Sequence, residues 1–227
     1  MHDLLEFAWR RPLDSKVRTK SAKPPRDAEA TKARILEAAK KEFAKNGLAG
    51  ARVDVIAERS LNNKRMMYHY FEGKDHLFQM VLEQAYVDIR TAEQKLNLES
   101  LPPKEALEAF VRFTWAYYLK HPEFITLVNS ANLHRAKHLK GSEVVKVTNR
   151  KLVSLVGGIL ARGVEAGVFR DGIDPVQLNI TIAAIGYYYL TNRFTGSIIF
   201  ERDLMDKDAL DDRLNFNIET IMRMVCA

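Results

Sequence analysis

Between Arg52 and Asp75 the chain reads RVDVIAERSLNNKRMMYHYFEGKD, and this stretch constrains the fold more than any other. The pattern predicts a short helix from Val53 to Arg59, with Val55, Ile56 and Ala57 turned into a core and Glu58 and Arg59 at the polar end. Ser60, Leu61 and Asn62 then make a bend. Asn63 is a good N-cap, because its side-chain oxygen can accept from a backbone N–H that has no partner in the first helical turn. A second helix is expected from Lys64 to Phe71. On it Lys64, Arg65, Tyr68 and His69 share one face, while Met67, Tyr70 and Phe71 point the other way. Two short helices joined at a bend make a helix-turn-helix, and its polar face can meet double-stranded DNA. Taken alone, Lys64, Arg65 and His69 would describe any solvated helix face.

The wider pattern is more specific. Ile56-Ala57 is followed twelve residues later by Tyr68-His69-Tyr70-Phe71, then by Lys74-Asp75 and Leu77-Phe78. This combination resembles the DNA-binding domain of the TetR family of transcriptional regulators. The resemblance implies phosphate contacts from Tyr68 and Lys74, and base-edge or backbone contacts from Asn63, Lys64, Arg65 and His69; Arg52, at the mouth of the first helix, joins them as a DNA-binding candidate. The chain departs from the family at the bend, where Ser60-Leu61-Asn62-Asn63 replaces the usual Ala-Gly-Val-Ser. A leucine in left-handed backbone geometry is strained, so the bend is expected to be built differently here.

The charge distribution points to the same end of the molecule. Residues 1–72 carry sixteen Lys/Arg against ten Asp/Glu, and residues 73–227 carry nineteen of each, so the whole net charge of +6 lies in the first third. That is the footprint of a phosphate-binding end joined to a neutral one. The single cysteine, Cys226, excludes a disulfide framework or a cysteine zinc site within one chain and fits a reducing cytoplasm. Asp3, Glu6, Arg10 and Arg11 interrupt the apolar residues at the start, so no signal-peptide core is expected there, and a cytoplasmic location follows as the expectation.

The whole chain reads as all-α, with three parts. Residues 1–26 form a basic N-terminal arm that either lies along DNA or is simply solvated; residues 27–72 form the helix-turn-helix domain; residues 73–227 form a larger effector-binding and dimerisation domain. Asp27 to Asn46 is an amphipathic brace with Ile35, Leu36, Ala39 and Phe43 inward, ended by Gly47. A long helix from Lys74 to about Asn97 belongs to both domains through Leu77, Phe78, Val81, Leu82, Ala85 and Ile89. Further helices are expected from Pro103 to His121, in short pieces to Leu139, from Ser142 to Ala166, from Pro175 to Phe200 and from Asp206 to Val225.

Pro175 to Asn192 carries no charge, but Gln177, Asn179, Thr181 and Asn192 argue against a membrane span and for a helix buried on most sides. The family resemblance implies a dimer through the last two helices, and the residues expected there are Ile185, Tyr189, Ile218, Ile221, Met222 and Val225. Trp115, Tyr118, Phe124, Asn129, Asn132, Phe169, Tyr188 and Asn192 are compatible with a mostly apolar pocket carrying a few polar anchors, although any one of them is ordinarily core. His134, Arg135 and His138 lie in a cationic run with three readings: a solvated helix end, a site for an anionic ligand, or a two-histidine metal site, the last disfavoured by the flanking cations. No metal or cofactor is expected.

YYLKHPEF, NLHRAKHLK and GVFRDGIDPVQL are similar to the effector domain of TetR-type repressors of bacterial nicotinate degradation. That similarity implies a small aromatic effector, with a carboxylate as one option, whose binding releases operator DNA. The competing classes are an all-helical interaction protein without ligand control and an enzyme using scattered residues. Against the second, the chain has no HExxH, GxSxG, P-loop or GxGxxG.

Overall fold

The computed structural model describes residues 25–227, with side chains from residue 28 onward; the expected DNA role of the basic arm lies outside the described residues. Ten α-helices account for most of this part. The first three are α1 (Pro25–Gly50), α2 (Val53–Arg59) and α3 (Lys64–Tyr70). The larger body follows with α4 (Lys74–Gln94), α5 (Pro103–Lys120), α6 (Pro122–Leu133) and α7 (Glu143–Glu165). It is completed by α8 (Pro175–Thr191), α9 (Arg193–Ile199) and α10 (Lys207–Val225). Short 3-10 turns at Leu98–Ser100 and Lys137–Leu139 fill two of the connections. Among the described residues the sole β-type pairing is an isolated bridge between Phe169 and Cys226, and no helix is long and apolar enough to cross a membrane.

The apolar core divides in two, but not at the expected domain boundary. One cluster joins Ile35 and Phe43 of α1, Ile56 of α2 and Met67 of α3 to Leu77, Phe78, Val81 and Leu82 of α4. It then continues into Trp115, Tyr118, Phe124 and Leu127 of the larger body. The second cluster lies at the far end and holds Leu107, Phe110, Val156, Ile159, Phe169, Leu178, Ile182, Ile221 and Val225. Sequence position 73 is therefore a turn in the chain and not a gap in the packing.

Three local features differ from the sequence reading. Leu61 does adopt left-handed geometry, with φ of 56°. The end of α2 forms a paired cap in which Asn62 N–H donates to Ala57 C=O at 2.9 Å and Leu61 N–H to Glu58 C=O at 3.0 Å, a geometry usually given to glycine. The leucine side chain is 87% exposed, so it meets no neighbour there, and the strain comes from its own backbone. Second, the helix expected from Pro175 to Phe200 breaks at Asn192 (φ −99°, ψ 13°). The Asn192 side chain donates to Tyr188 C=O at 2.8 Å, competing with continued helix. Third, Ile221 and Val225 are 0% exposed in the far core and have no surface left to offer a partner.

Leu61→Gly is expected to stabilise the chain by about 0.5–1 kcal/mol, the left-handed strain of leucine less the extra freedom of an unfolded glycine. Urea denaturation checks it; a loss of stability would mean that the exposed side chain makes contacts that matter.

Candidate nucleic-acid interface and effector site

The reading helix is held by its own caps and by a buried carboxylate. Asn63 Oδ1 accepts from Met66 N–H at 2.8 Å, which starts α3. Ser60 is buried, and its hydroxyl donates to Ala57 C=O at 3.0 Å. Glu42, 2% exposed on α1, accepts from Arg52 N–H at 3.2 Å and from Arg59 Nη1 at 3.1 Å, so it grips both ends of α2. Fully buried Met67 and nearly buried Phe71 anchor the inner side of α3. Lys64, Arg65, Tyr68 and His69 are all left exposed on the outer side.

Two further DNA candidates are engaged within the chain. The Arg52 guanidinium forks onto Asp54, with Nη2 to Oδ2 at 2.7 Å and Nε to Oδ1 at 3.3 Å, and this pairing holds the Asp54 carboxyl down at about 2. Lys74 Nζ donates to Ala49 C=O at 3.1 Å, tying the start of α4 to the end of α1. Among the described residues Lys64 and Arg65 have no such partner, which leaves their charge available to phosphate or base edges.

The expected effector residues fall in five places, the last being the joint held by the two histidines. Trp115, Tyr118 and Phe124 pack ring on ring in the near core, with Tyr118 stacked on Phe124 at 5.9 Å and Trp115 edge-on to Tyr189 at 5.6 Å. Asn129 accepts from the Tyr187 hydroxyl at 2.6 Å beside them. Phe169 lies in the far core, against Gly163 of α7. Tyr188, 67% exposed, and Asn192 line an open cavity of about 680 Å³ with Ile199, Phe200, Arg213 and Phe216, at the outer surface of α8, α9 and α10. Asn132 and Arg135 are exposed at the end of α6, where Arg135 takes a left-handed cap position (φ 53°).

The two histidines are committed to the joint between head and body. His138 is buried, and its Nε2 lies 3.1 Å from Asp75 Oδ1 on the first turn of α4, with Lys137 adding an ion pair to the same carboxylate at 3.4 Å. His134 Nδ1 lies 2.8 Å from Ser130 C=O, and the Ser130 hydroxyl in turn accepts from Leu48 N–H of α1 at 3.1 Å. Among the described residues no group of three or more potential ligands that could hold a metal occurs.

Sequence reasoning missed one buried charged pair. Glu93, 3% exposed, and Arg90 lie on the last turns of α4 with Arg90 Nη1 2.9 Å from Glu93 Oε2. Burial outweighs the arginine and pushes the Glu93 carboxyl up to about 7. Both side chains open onto a cavity of about 250 Å³ between α4 and α7, whose other walls include Leu98, Lys151, Leu152 and Leu155. The signal was in the sequence: Glu93 continues the inward series Leu82, Ala85, Ile89 at helical spacing.

A three-helix head that presents an unpaired basic face, packed on a larger helical body, defines a helix-turn-helix regulatory protein. The comparisons give the family. Residues 35–81 match the bacterial regulatory proteins of the tetR family, and residues 103–221 match the tetracyclin repressor-like C-terminal domain. The chain is 38% identical over 196 residues to the HTH-type transcriptional repressor NicS of Pseudomonas putida, an alignment covering 86% of this chain and 92% of NicS. It belongs to the TetR family. The fold is shared with a TetR family transcription regulator from Marinobacter aquaeolei (TM-score 0.67, 15% identity, 88% of this chain and 98% of the other). It is shared as well with the transcriptional regulator SCO4942 of Streptomyces coelicolor (TM-score 0.65, 22% identity, 86% and 98%). Its relatives are regulators and not enzymes.

The Glu93 carboxyl has a folded-state value above its ordinary one, so the folded chain binds the extra proton and stability falls as pH rises through the window from about 4.5 to 7. Between pH 5 and 8 the wild type is expected to lose about 2 kcal/mol more than Glu93→Gln, measured by urea denaturation at both pH values. Parallel loss in the two proteins would place the proton elsewhere.

Proposed function

We propose that this TetR-family regulator is a repressor that binds double-stranded operator DNA as a homodimer and is released by a small aromatic effector. The observation that carries the DNA reading is the outer face of α3, where Lys64 and Arg65 have no partner among the described residues and Tyr68 and His69 stand beside them. The repressor reading is supported by the 38% identity to a protein named a transcriptional repressor. Electrophoretic mobility shift on DNA upstream of the chain's own coding sequence tests both this reading and the alternative of an interaction protein with no DNA role. Arg65→Ala is expected to relax sequence choice. Lys64→Ala is expected to weaken all sequences alike and to flatten the salt dependence of binding by roughly one unit of log–log slope.

The dimer reading rests on exposed apolar residues that the chain's own core does not use. Ile180 and Tyr188 of α8, Phe194 and Ile198 of α9, and Phe216 of α10 are each more than half exposed. An apolar surface of this extent on a monomer is a docking face, and a second copy provides the self-complementary partner that two half-sites of DNA require. Of the residues expected at the interface, Ile185, Tyr189, Ile218 and Met222 are half-buried and remain at its margin. Ile180→Glu combined with Tyr188→Glu is expected to convert dimer to monomer in sedimentation at micromolar concentration, and a monomeric wild type would end the two-half-site reading.

The effector reading draws on the C-terminal resemblance to repressors of nicotinate degradation and on α4, which carries Lys74 at one end and Glu93 at the other. A ligand that prefers one setting of α4 shifts DNA affinity by its differential affinity, typically 1–3 kcal/mol. Benzoate-like and nicotinate-like carboxylates are expected to raise the melting temperature and weaken operator binding. A thermal shift with neutral or cationic aromatics alone would overturn the anion class and leave the regulator standing.

A further inference from the structure

The effector reading leaves open which group receives the carboxylate, and the cations of the 134–140 run are poorly placed for it. Arg135 caps α6 in solvent, Lys137 is paired with Asp75, and His138 is buried against the same carboxylate. A different arginine meets the requirement. Arg90 is largely buried at the floor of the cavity between α4 and α7, and its Nε and Nη1 have no hydrogen-bond partner. Glu93 Oε2 beside it is likewise without one, so the 2.9 Å ion pair lacks hydrogen-bond alignment on either side. Nε, Nη1 and Oε2 are sealed from solvent, so the pair meets the cavity through Nη2 and Oε1, which have no hydrogen-bond partner among the described residues and are the atoms a ligand there can reach.

Resting on the proposed effector reading, we propose that Arg90 is the counter-charge for a one-ring carboxylate bound between α4 and α7, with Glu93 taking up a proton as the ligand enters. Nη2, the one guanidinium nitrogen not sealed by its surroundings, can donate to a carboxylate oxygen in the cavity. Leu98, Leu152 and Leu155 give the ring an apolar wall, and about 250 Å³ is below the size of a drug-like pocket, which suits a single ring. The 3-10 turn carrying Leu98 is fixed to α7 by Arg162, whose Nη1 donates to Leu101 C=O at 2.7 Å and Nη2 to Leu98 C=O at 3.1 Å. A second anion beside Arg90 disfavours an ionised Glu93, so the liganded state keeps the proton. The charged groups lining this space with Glu93 are Arg90 on the same helix, Glu99 in the 3-10 turn and Lys151 on α7, and Tyr118 on α5 lies behind the wall within reach of the Glu93 charge; no histidine lines the cavity.

The test is calorimetric titration of the full chain with benzoate and with nicotinate at pH 6 and pH 8. The wild type is expected to bind one of them, with affinity falling roughly tenfold per pH unit above pH 7. Arg90→Gln should lose at least about tenfold in affinity while keeping its helical circular dichroism and its DNA binding, and Arg135→Ala should bind as wild type does. Glu93→Gln should bind with little change between pH 6 and 8. Leu155→Trp, which fills the cavity from α7, provides a second route if Arg90→Gln does not fold, and it too should abolish binding. Wild-type affinity in Arg90→Gln, or in Leu155→Trp, would overturn the site while the aromatic-acid effector stands. Failure of the wild type to bind either carboxylate would overturn the effector class and this site together.

Discussion

Phe78 has a ring on either side of it. Phe43 of α1 meets it edge-on at 5.0 Å from the DNA-binding head, and His138 meets it edge-on at 5.0 Å from the larger body. Phe78 is itself fully buried, so head and body meet around it at the second turn of α4, within the one core cluster that spans both. Polar bonds lie around this contact: Asp75 to His138, Lys74 to Ala49, and Ser130 to Leu48. Well-packed aromatic cores do not deform smoothly, so a tilt of α4 has to exchange one set of these contacts for another. On the proposed effector reading, that requirement would turn a small displacement near Glu93 into a discrete change at the reading helices.

Much of the head was legible because short-range rules govern it. Val53 to Arg59 is helical as its apolar spacing demands, Asn63 caps α3, and the inner series Leu77, Phe78, Val81, Leu82, Ala85 and Ile89 is buried along α4. The bend at Leu61 was harder. The rule that leucine avoids left-handed geometry is a matter of about 1–2 kcal/mol, and the paired cap bonds at the end of α2 together with the packing of Met67 and Phe71 outweigh it. Local propensity yields wherever the surrounding core fixes where the chain must go.

The body was legible in its helices and much less so in its sites. Pro175 to Thr191 is apolar on most faces, and periodicity cannot say which face meets the chain's own core and which a partner; the fold assigns Leu178, Ile182 and Leu190 inward and leaves Ile180 and Tyr188 outward. Aromatic residues posed the same problem. Trp115, Tyr118 and Phe124 fill one another's space, so side chains that suggest a pocket in sequence are its solid wall. Charges proved more informative than rings. A carboxylate at an inward helical position, as at Glu93 or Glu42, is expensive to bury, and in this chain each is paired with an arginine, Arg90 and Arg59 respectively.

Gly163 shows a constraint of another kind. A Cβ at this position would come within 1.9 Å of the Phe169 ring, which lies directly on the α7 backbone. Phe169 in turn pairs with Cys226, and Arg170 N–H donates to Val225 C=O at 3.0 Å, so the tie between the end of α10 and the turn after α7 depends on an absent methyl group. In a genetic screen for derepressed mutants, lesions at Gly163 would therefore score with those in the reading helix, although the residue lies in the core cluster farthest from the head. They would be recessive folding defects, and a wild-type copy in the same cell would restore control.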